Sequence, residues 1–167
     1  MTYGAMYGLA SSVIYLIFYF AGASVEAKSP QYIGYLLLIF FLVMGIKSYR
    51  DQDLEGYISY GRSLGTGVLI GVFGGIITGI FTVLLFTVID PGMTQKILDS
   101  VQQKLTDEGK PEDQIQIAIS WTKKFMNPGI LFGFSIVGGA FMSMIFSFII
   151  SVFLKKEQTP FDRALDS

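Results

Sequence analysis

The chain has 167 residues, 51% of them hydrophobic, with a formal net charge of −1 and a mean hydropathy of +0.55, which is too apolar for a water-soluble domain of this length. It contains neither cysteine nor histidine, so disulfides, thiolate or imidazole metal sites, haem attachment and imidazole acid–base chemistry are excluded, and no cofactor is expected. The nearly balanced charge offers no footing for nucleic acid.

The charges are clustered, leaving uncharged stretches over Met1–Val25, Ser29–Ile46, Ser63–Ile89 and Phe125–Leu154. Crossing about 30 Å of hydrocarbon takes roughly 20 apolar residues. Three stretches clear that length, and Lys47 and Arg50 can snorkel to extend the second. The expected fold is therefore an all-α integral membrane protein, a single four-helix transmembrane domain over 1–156. Its spans fall at about 3–24, 31–47, 63–89 and 129–154, with a polar tail over 157–167.

The first span has no basic segment before it and is longer than a signal peptide requires, although Ala21-Gly22-Ala23 has the small residues of a cleavage site. Tyr3, Tyr7, Tyr15 and Tyr19 suit interface belts or helix contacts, and Gly4, Gly8 and Ser12 form a small-residue row. A short connection over 25–30 returns the chain to the second span, which has little small-residue patterning and is expected to face lipid. Mixed charge with interleaved Tyr49, Tyr57 and Tyr60 then predicts a loop and short helix at headgroup level over 47–62. Asp90-Pro91-Gly92 stops the third span.

Residues 93–127 form the one sizeable extramembrane segment, read as an amphipathic helical hairpin between spans three and four. Met93, Ile97, Leu98, Val101 and Leu105 share one stripe of the first arm. Pro111 opens the second arm, with Glu112 and Asp113 in its first turn and Lys123 and Lys124 in its last. Ile115, Ala118, Ile119, Thr122 and Phe125 share one face. Neither arm is long enough to stand alone in water, so each must pack on something.

The sharpest motif is the four-residue repeat Ser63, Gly67, Gly71, Gly75, Gly79 on the third span, a glycine zipper. In a soluble helix each such Gly loses about 1 kcal/mol against Ala. In a membrane the repeat strips one helix face so that another backbone can approach, favouring right-handed crossings. The fourth span carries a matching row, Ser135, Gly139, Ser143, Ser147 and Ser151, with Gly138 doubling one position. The two rows are expected to pack on each other within one chain, with serine hydroxyls bonding across or back to their own helix. A homo-oligomeric or partner seam, or a pore or lipid groove, are the alternatives.

No Asp, Glu, Arg or His lies inside any span, and the one Lys, Lys47, stands at the very end of the second. Because such groups mark proton relays, ion pathways and substrate sites, their absence argues against a proton-coupled transporter and an intramembrane enzyme. Asp90 is expected to cap an element rather than bind a cation. Asp51, Asp53 and Glu55 alternate like a calcium loop but lack its Gly and terminal Glu. Arg62 is read as snorkelling at a span end, with a headgroup phosphate as its sharper role. Trp121 beside Lys123 and Lys124 is either an interface anchor or hairpin core.

Tyr57-Ile58-Ser59-Tyr60-Gly61 before a glycine-rich span, Phe86-Thr87-Val88-Ile89-Asp90-Pro91, and Thr122-Lys123-Lys124-Phe125-Met126-Asn127-Pro128-Gly129 together resemble an uncharacterised family of small bacterial inner-membrane proteins, known as a domain of unknown function. The resemblance runs from the first span to Lys156. It implies a four-span inner-membrane protein with a helical hairpin between spans three and four, and carries over no catalytic residues. Members tend to be encoded near a membrane-attached glycosyltransferase, which points to a partner in envelope glycolipid assembly.

An even span number puts both termini on one side. Basic residues are more concentrated near the span ends there (Lys47, Arg50, Arg62, Lys155, Lys156), which favours cytoplasmic termini. The expected function is a non-enzymatic accessory or scaffold subunit that packs through its small-residue faces and docks partners through 93–127. The alternative is a small oligomeric transporter or channel component.

Overall fold

The computed structural model describes residues 1–22 and 29–157, and these are helical apart from short turns and one isolated bridge. The helices are α1 (Thr2–Phe20), α2 (Ser29–Ser48), α3 (Tyr60–Leu84), α4 (Met93–Asp107), α5 (Glu112–Phe125) and α6 (Pro128–Leu154). A π-helical turn extends α2 over Tyr49–Asp53 and another extends α3 over Leu85–Ile89. With those turns included for α2 and α3, the helices α1, α2, α3 and α6 are long and apolar enough to cross a membrane.

The helix ends follow local chemistry. Ser59 starts α3, its Oγ accepting from the Arg62 N–H at 3.4 Å. Asn127 starts α6, its Oδ1 accepting from the Gly129 N–H at 3.0 Å, with Pro128 in the first turn where no donor is lost. Between α4 and α5 the chain reverses at Gly109, whose φ of +69° is one that glycine reaches without strain.

Because the long helices are apolar nearly all round, small residues rather than hydrophobic ones decide which faces meet. Helix α3 is the centre of the bundle and touches α1, α2 and α6, the α3–α6 contact being by far the largest. Helices α3 and α6 run antiparallel in one fixed register, Gly79 beside Ser135, Gly71 beside Ser143 and Gly67 beside Ser147. The same register ends in a bridge where Ile58 N–H donates to Lys156 O (2.8 Å) and Lys156 N–H returns the bond to Ile58 O (2.9 Å). Helix α1 runs parallel to α3, with Gly4 against Ile70 and Phe73, and Gly8 against Gly74 and Ile77. Gly45 of α2 opens a three-helix junction filled by Tyr3 and Ile70. Leu38, Leu42 and Ile46 of α2 join Ile58, Ile70 and Ile150 in the core.

Several boundaries differ from those read in the sequence. The second helix continues past Lys47 to Ser48 and its π turn to Asp53, because loss of apolar character marks the edge of hydrocarbon and not the end of backbone hydrogen bonding. It also begins earlier, at Ser29, so that Pro30 lies in its first turn. The first helix closes at Phe20. The rest of the expected 25–30 connection and most of the 157–167 tail lie outside the described residues. The 47–62 segment is not wholly a headgroup loop either, since Ile58 is only 2% exposed. Arg50 Nη1 donates to Leu154 O at 3.3 Å, supplying a partner for a carbonyl that the end of α6 leaves open. The second span, expected to face outward, is exposed on one side only, because Leu38, Leu42 and Ile46 are buried.

Candidate functional site: the glycine–serine seam and the α4–α5 end

At the α3–α6 seam the backbones come too close for side chains on α3. A Cβ at Gly75 would lie 2.6 Å from Ser135 O and 2.8 Å from Ile136 Cα, and one at Gly71 would lie 2.5 Å from Gly139 O while colliding with Ser143. At Gly67 the collision is with Ser147, and at Gly79 with Phe132 Cδ2 at 2.8 Å. In return, a Cβ on Gly139 would sit 2.7 Å from Gly71 O. Gly65, Gly133 and Gly138 behave differently, with nothing within 4 Å of an added methyl.

The serines follow the expected hydrogen bonding only in part. Ser135 bonds back to Leu131 O at 2.9 Å. Ser63, Ser143, Ser147 and Ser151 are fully buried, and their hydroxyl oxygens make no hydrogen bond. Ser143 and Ser147 lie against Gly71 and Gly67, where they serve as small spacers between the helices. Removing a buried unbonded hydroxyl at constant shape is close to neutral, so Ser143→Ala is expected to leave thermal stability unchanged or slightly raised.

Two cavities lie beside α3. One of about 290 Å³ lies among α1, α2 and α3, walled by Tyr15, Leu37, Phe81 and Leu85. The second, about 190 Å³, lies mainly among α2, α3 and α6. Tyr7 and Thr78 border both. The nearby hydroxyls of Ser12, Thr78 and Thr82 bond carbonyls of their own helices, and no charged group lines either space.

The end of α3 carries a polar cluster that the sequence reading did not assemble. Asp90 Oδ2 accepts from the Tyr19 hydroxyl and from Lys96 Nζ, each at 2.7 Å, and Oδ1 accepts from the Gly92 N–H at 3.1 Å. It ties α1, α3 and α4 together at one end of the bundle. Asp90 closes the π turn that extends α3, the capping place expected of it, and it also accepts two side-chain donors, one from a residue 71 positions away in sequence. The Lys96 ammonium first, then the Tyr19 hydroxyl, hold its carboxyl below the usual range, while Asp90 raises Lys96. A depressed carboxyl contributes stability above its unfolded pKa of about 3.9 and loses it as pH falls through the lower folded value. A raised lysine loses its contribution as pH climbs through its folded value above about 10.4. Protection of the first-turn amides of α4 against hydrogen exchange, taken relative to the intrinsic rate at each pH, is therefore expected to fall at both extremes, and Asp90→Asn is expected to remove the acid limb. An unchanged acid limb in that variant would show that Asp90 does not hold α4.

The remaining candidates separate. Arg62 is exposed in the first turn of α3, and Asp51 pairs with Arg50 at 2.7 Å. Among the described residues no group of three acidic side chains could hold a metal ion. Helices α4 and α5 pack on each other, burying Leu98 and Ile115. Trp121 is not in that core. It is 55% exposed and stacks on Phe125, with Lys124 Nζ 5.1 Å from its ring centroid. Phe125 faces outward with it, contrary to its expected place beside Ile115, because the helix has two apolar stripes and the inner one is filled by Ile115, Ala118 and Ile119. Lys123 and Lys124 are exposed.

This geometry defines an all-helical protein with four helices of membrane-crossing length, organised by glycine contacts around α3. The chain belongs to the family described as "Protein of unknown function (DUF4199)", whose model matches residues 2–156. No curated protein and no solved structure matches it.

Proposed function

We propose that this is a non-enzymatic scaffold or accessory subunit of a cell-envelope complex in the bacterial inner membrane, with both termini cytoplasmic. The α3–α6 glycine zipper is its fixed frame. The α4–α5 pair is its extramembrane hairpin, and α4 offers the docking face. The observation that carries this reading is how little of the hairpin the bundle occupies. Its two helices chiefly contact one another, and Gln95, Asp99, Gln102 and Gln103 of α4 are exposed. By the family resemblance, the expected partner is a membrane-attached glycosyltransferase. Since the α3 zipper face is spent within the chain, a homo-oligomer would need another surface.

The test is a native pull-down from membranes with wild-type protein and with Asp99→Arg/Gln103→Arg. The expected result is one membrane protein captured by wild type and lost by the variant at unchanged helix content. Equal capture by both would overturn docking through α4.

The second reading, a small transporter or channel component, is favoured by the two cavities that share Tyr7 and Thr78. Solute flux through vesicles containing only this purified chain would support it.

A further inference from the structure

Helix α5 carries its second apolar stripe on the side away from α4. Ile117 is 57% exposed, Trp121 55% and Phe125 43%, and they follow each other at the four-residue spacing that makes one helix face. A bare stripe of this kind needs a cover, and the structure shows what adjoins it. The Phe125 ring meets Phe134 of α6 edge-on, centroids 5.8 Å apart, and Trp121 stacks on Phe125 at 6.1 Å. Phe134 is itself exposed and lies in the second turn of α6, on the same outward side as Val137 and Phe141. That side of a membrane-crossing helix faces acyl chains. The lipid-facing surface of α6 therefore continues onto α5 with no polar break.

Charge on α5 runs the same way. Glu112 and Asp113 occupy the end far from α6, while Lys123 and Lys124 occupy the end beside it. Lys124 Nζ lies over the Trp121 ring, 5.1 Å from its centroid, a cation–π contact at the exposed lysine end of the stripe. Tryptophan with lysine at the end of a span is the composition of a membrane–water interface, and an amphipathic helix with such a face lies in that interface.

We infer that α5 is seated on the bilayer of the protein's own membrane. Its Ile117–Trp121–Phe125 stripe rests among the upper acyl chains, and Lys123 and Lys124 engage the phosphates of anionic phospholipids. This does not depend on the scaffold reading: lipid can cover this stripe whether or not a partner binds α4. It does assign the two arms different roles, α5 to lipid and α4 to water.

Trp121 is the only tryptophan in the chain, so its fluorescence reports this face alone. The full-length protein is placed in vesicles of phosphatidylcholine with and without phosphatidylglycerol, some carrying acyl chains brominated near the glycerol end and some near the methyl end. The expected result is blue-shifted emission, strong quenching by the shallow bromines, weaker quenching by the deep ones, and little by aqueous acrylamide. Phosphatidylglycerol is expected to deepen the shallow quenching in the wild type, and Lys123→Gln/Lys124→Gln is expected to abolish that lipid dependence. Water-like emission with strong acrylamide quenching would overturn the inference. So would protection from both acrylamide and brominated lipid, which would assign the stripe to a second copy or another protein. Equal response to phosphatidylglycerol in wild type and variant would overturn the role of the lysines.

Discussion

Replacing Gly75 with leucine is expected to drive α6 away from α3 and to cost more than any exposed substitution in the protein. Its Cβ alone would meet backbone, Ser135 O at 2.6 Å and Ile136 Cα at 2.8 Å, and backbone cannot rotate aside as a side chain can. Overpacking by a methyl or two in a tight core costs about 1–3 kcal/mol. Leucine adds three further heavy atoms beyond a Cβ that already collides with backbone. Gly71→Leu should behave similarly, since Gly139 O lies 2.5 Å from its Cβ position. The matched controls are Gly65→Ala on α3 and Gly138→Ala on α6, where an added methyl meets nothing within 4 Å. Thermal melting of the purified proteins in one detergent should show a large drop, or failure to fold, for the first pair and near-wild-type values for the second. Equal melting across all four would mean that α3 and α6 are not pressed together at these glycines.

Gly8→Leu is expected to have the next largest effect, and a different one. Its Cβ would lie 2.7 Å from Ile77 Cβ and 2.9 Å from Gly74 O, so α1 must lift from α3 while the α3–α6 seam is untouched. Amide exchange should rise through the first half of α1 and remain slow across residues 67–79. The Tyr19–Asp90 hydrogen bond at the far end of α1 should limit that loss to the end nearer the N-terminus. If exchange rose equally in α1 and α6, the two seams would be one cooperative unit.

Much of this arrangement was legible in the chain. Uncharged length located the four long helices to within a few residues, and the paired repeats on α3 and α6 named the faces that meet. They could do so because glycine spacing is a direct statement about backbone approach. Hydrophobicity, by contrast, is nearly uniform round these helices and says little about direction. What the sequence withheld depends on distance along the chain. Tyr19, Asp90 and Lys96 become a cluster only once α1 is known to run parallel to α3. Arg50 finds Leu154 O only because α2 and α6 end together. The serines were legible in part: a hydroxyl suggests a hydrogen bond, and Ser135 makes one to its own helix while Ser63, Ser143, Ser147 and Ser151 make none. On α5, two apolar stripes shared one helix, and periodicity alone could not say which faced α4. Trp121 and Phe125 resolve it by stacking together on the outside.

The register of α3 against α6 within one chain is best tested by cross-linking. The protein has no cysteine, so Ser63→Cys/Ser151→Cys introduces the only thiols. Those positions face each other in the register fixed on one side by Gly67 with Ser147 and on the other by Ile58 with Lys156, and both serines are fully buried. After mild oxidation in membranes, and cleavage at a protease site inserted beside Gly109, the two halves of the chain should remain joined until reductant is added. Halves that separate without reductant, or a ladder of linked dimers, would contradict an intramolecular seam between α3 and α6.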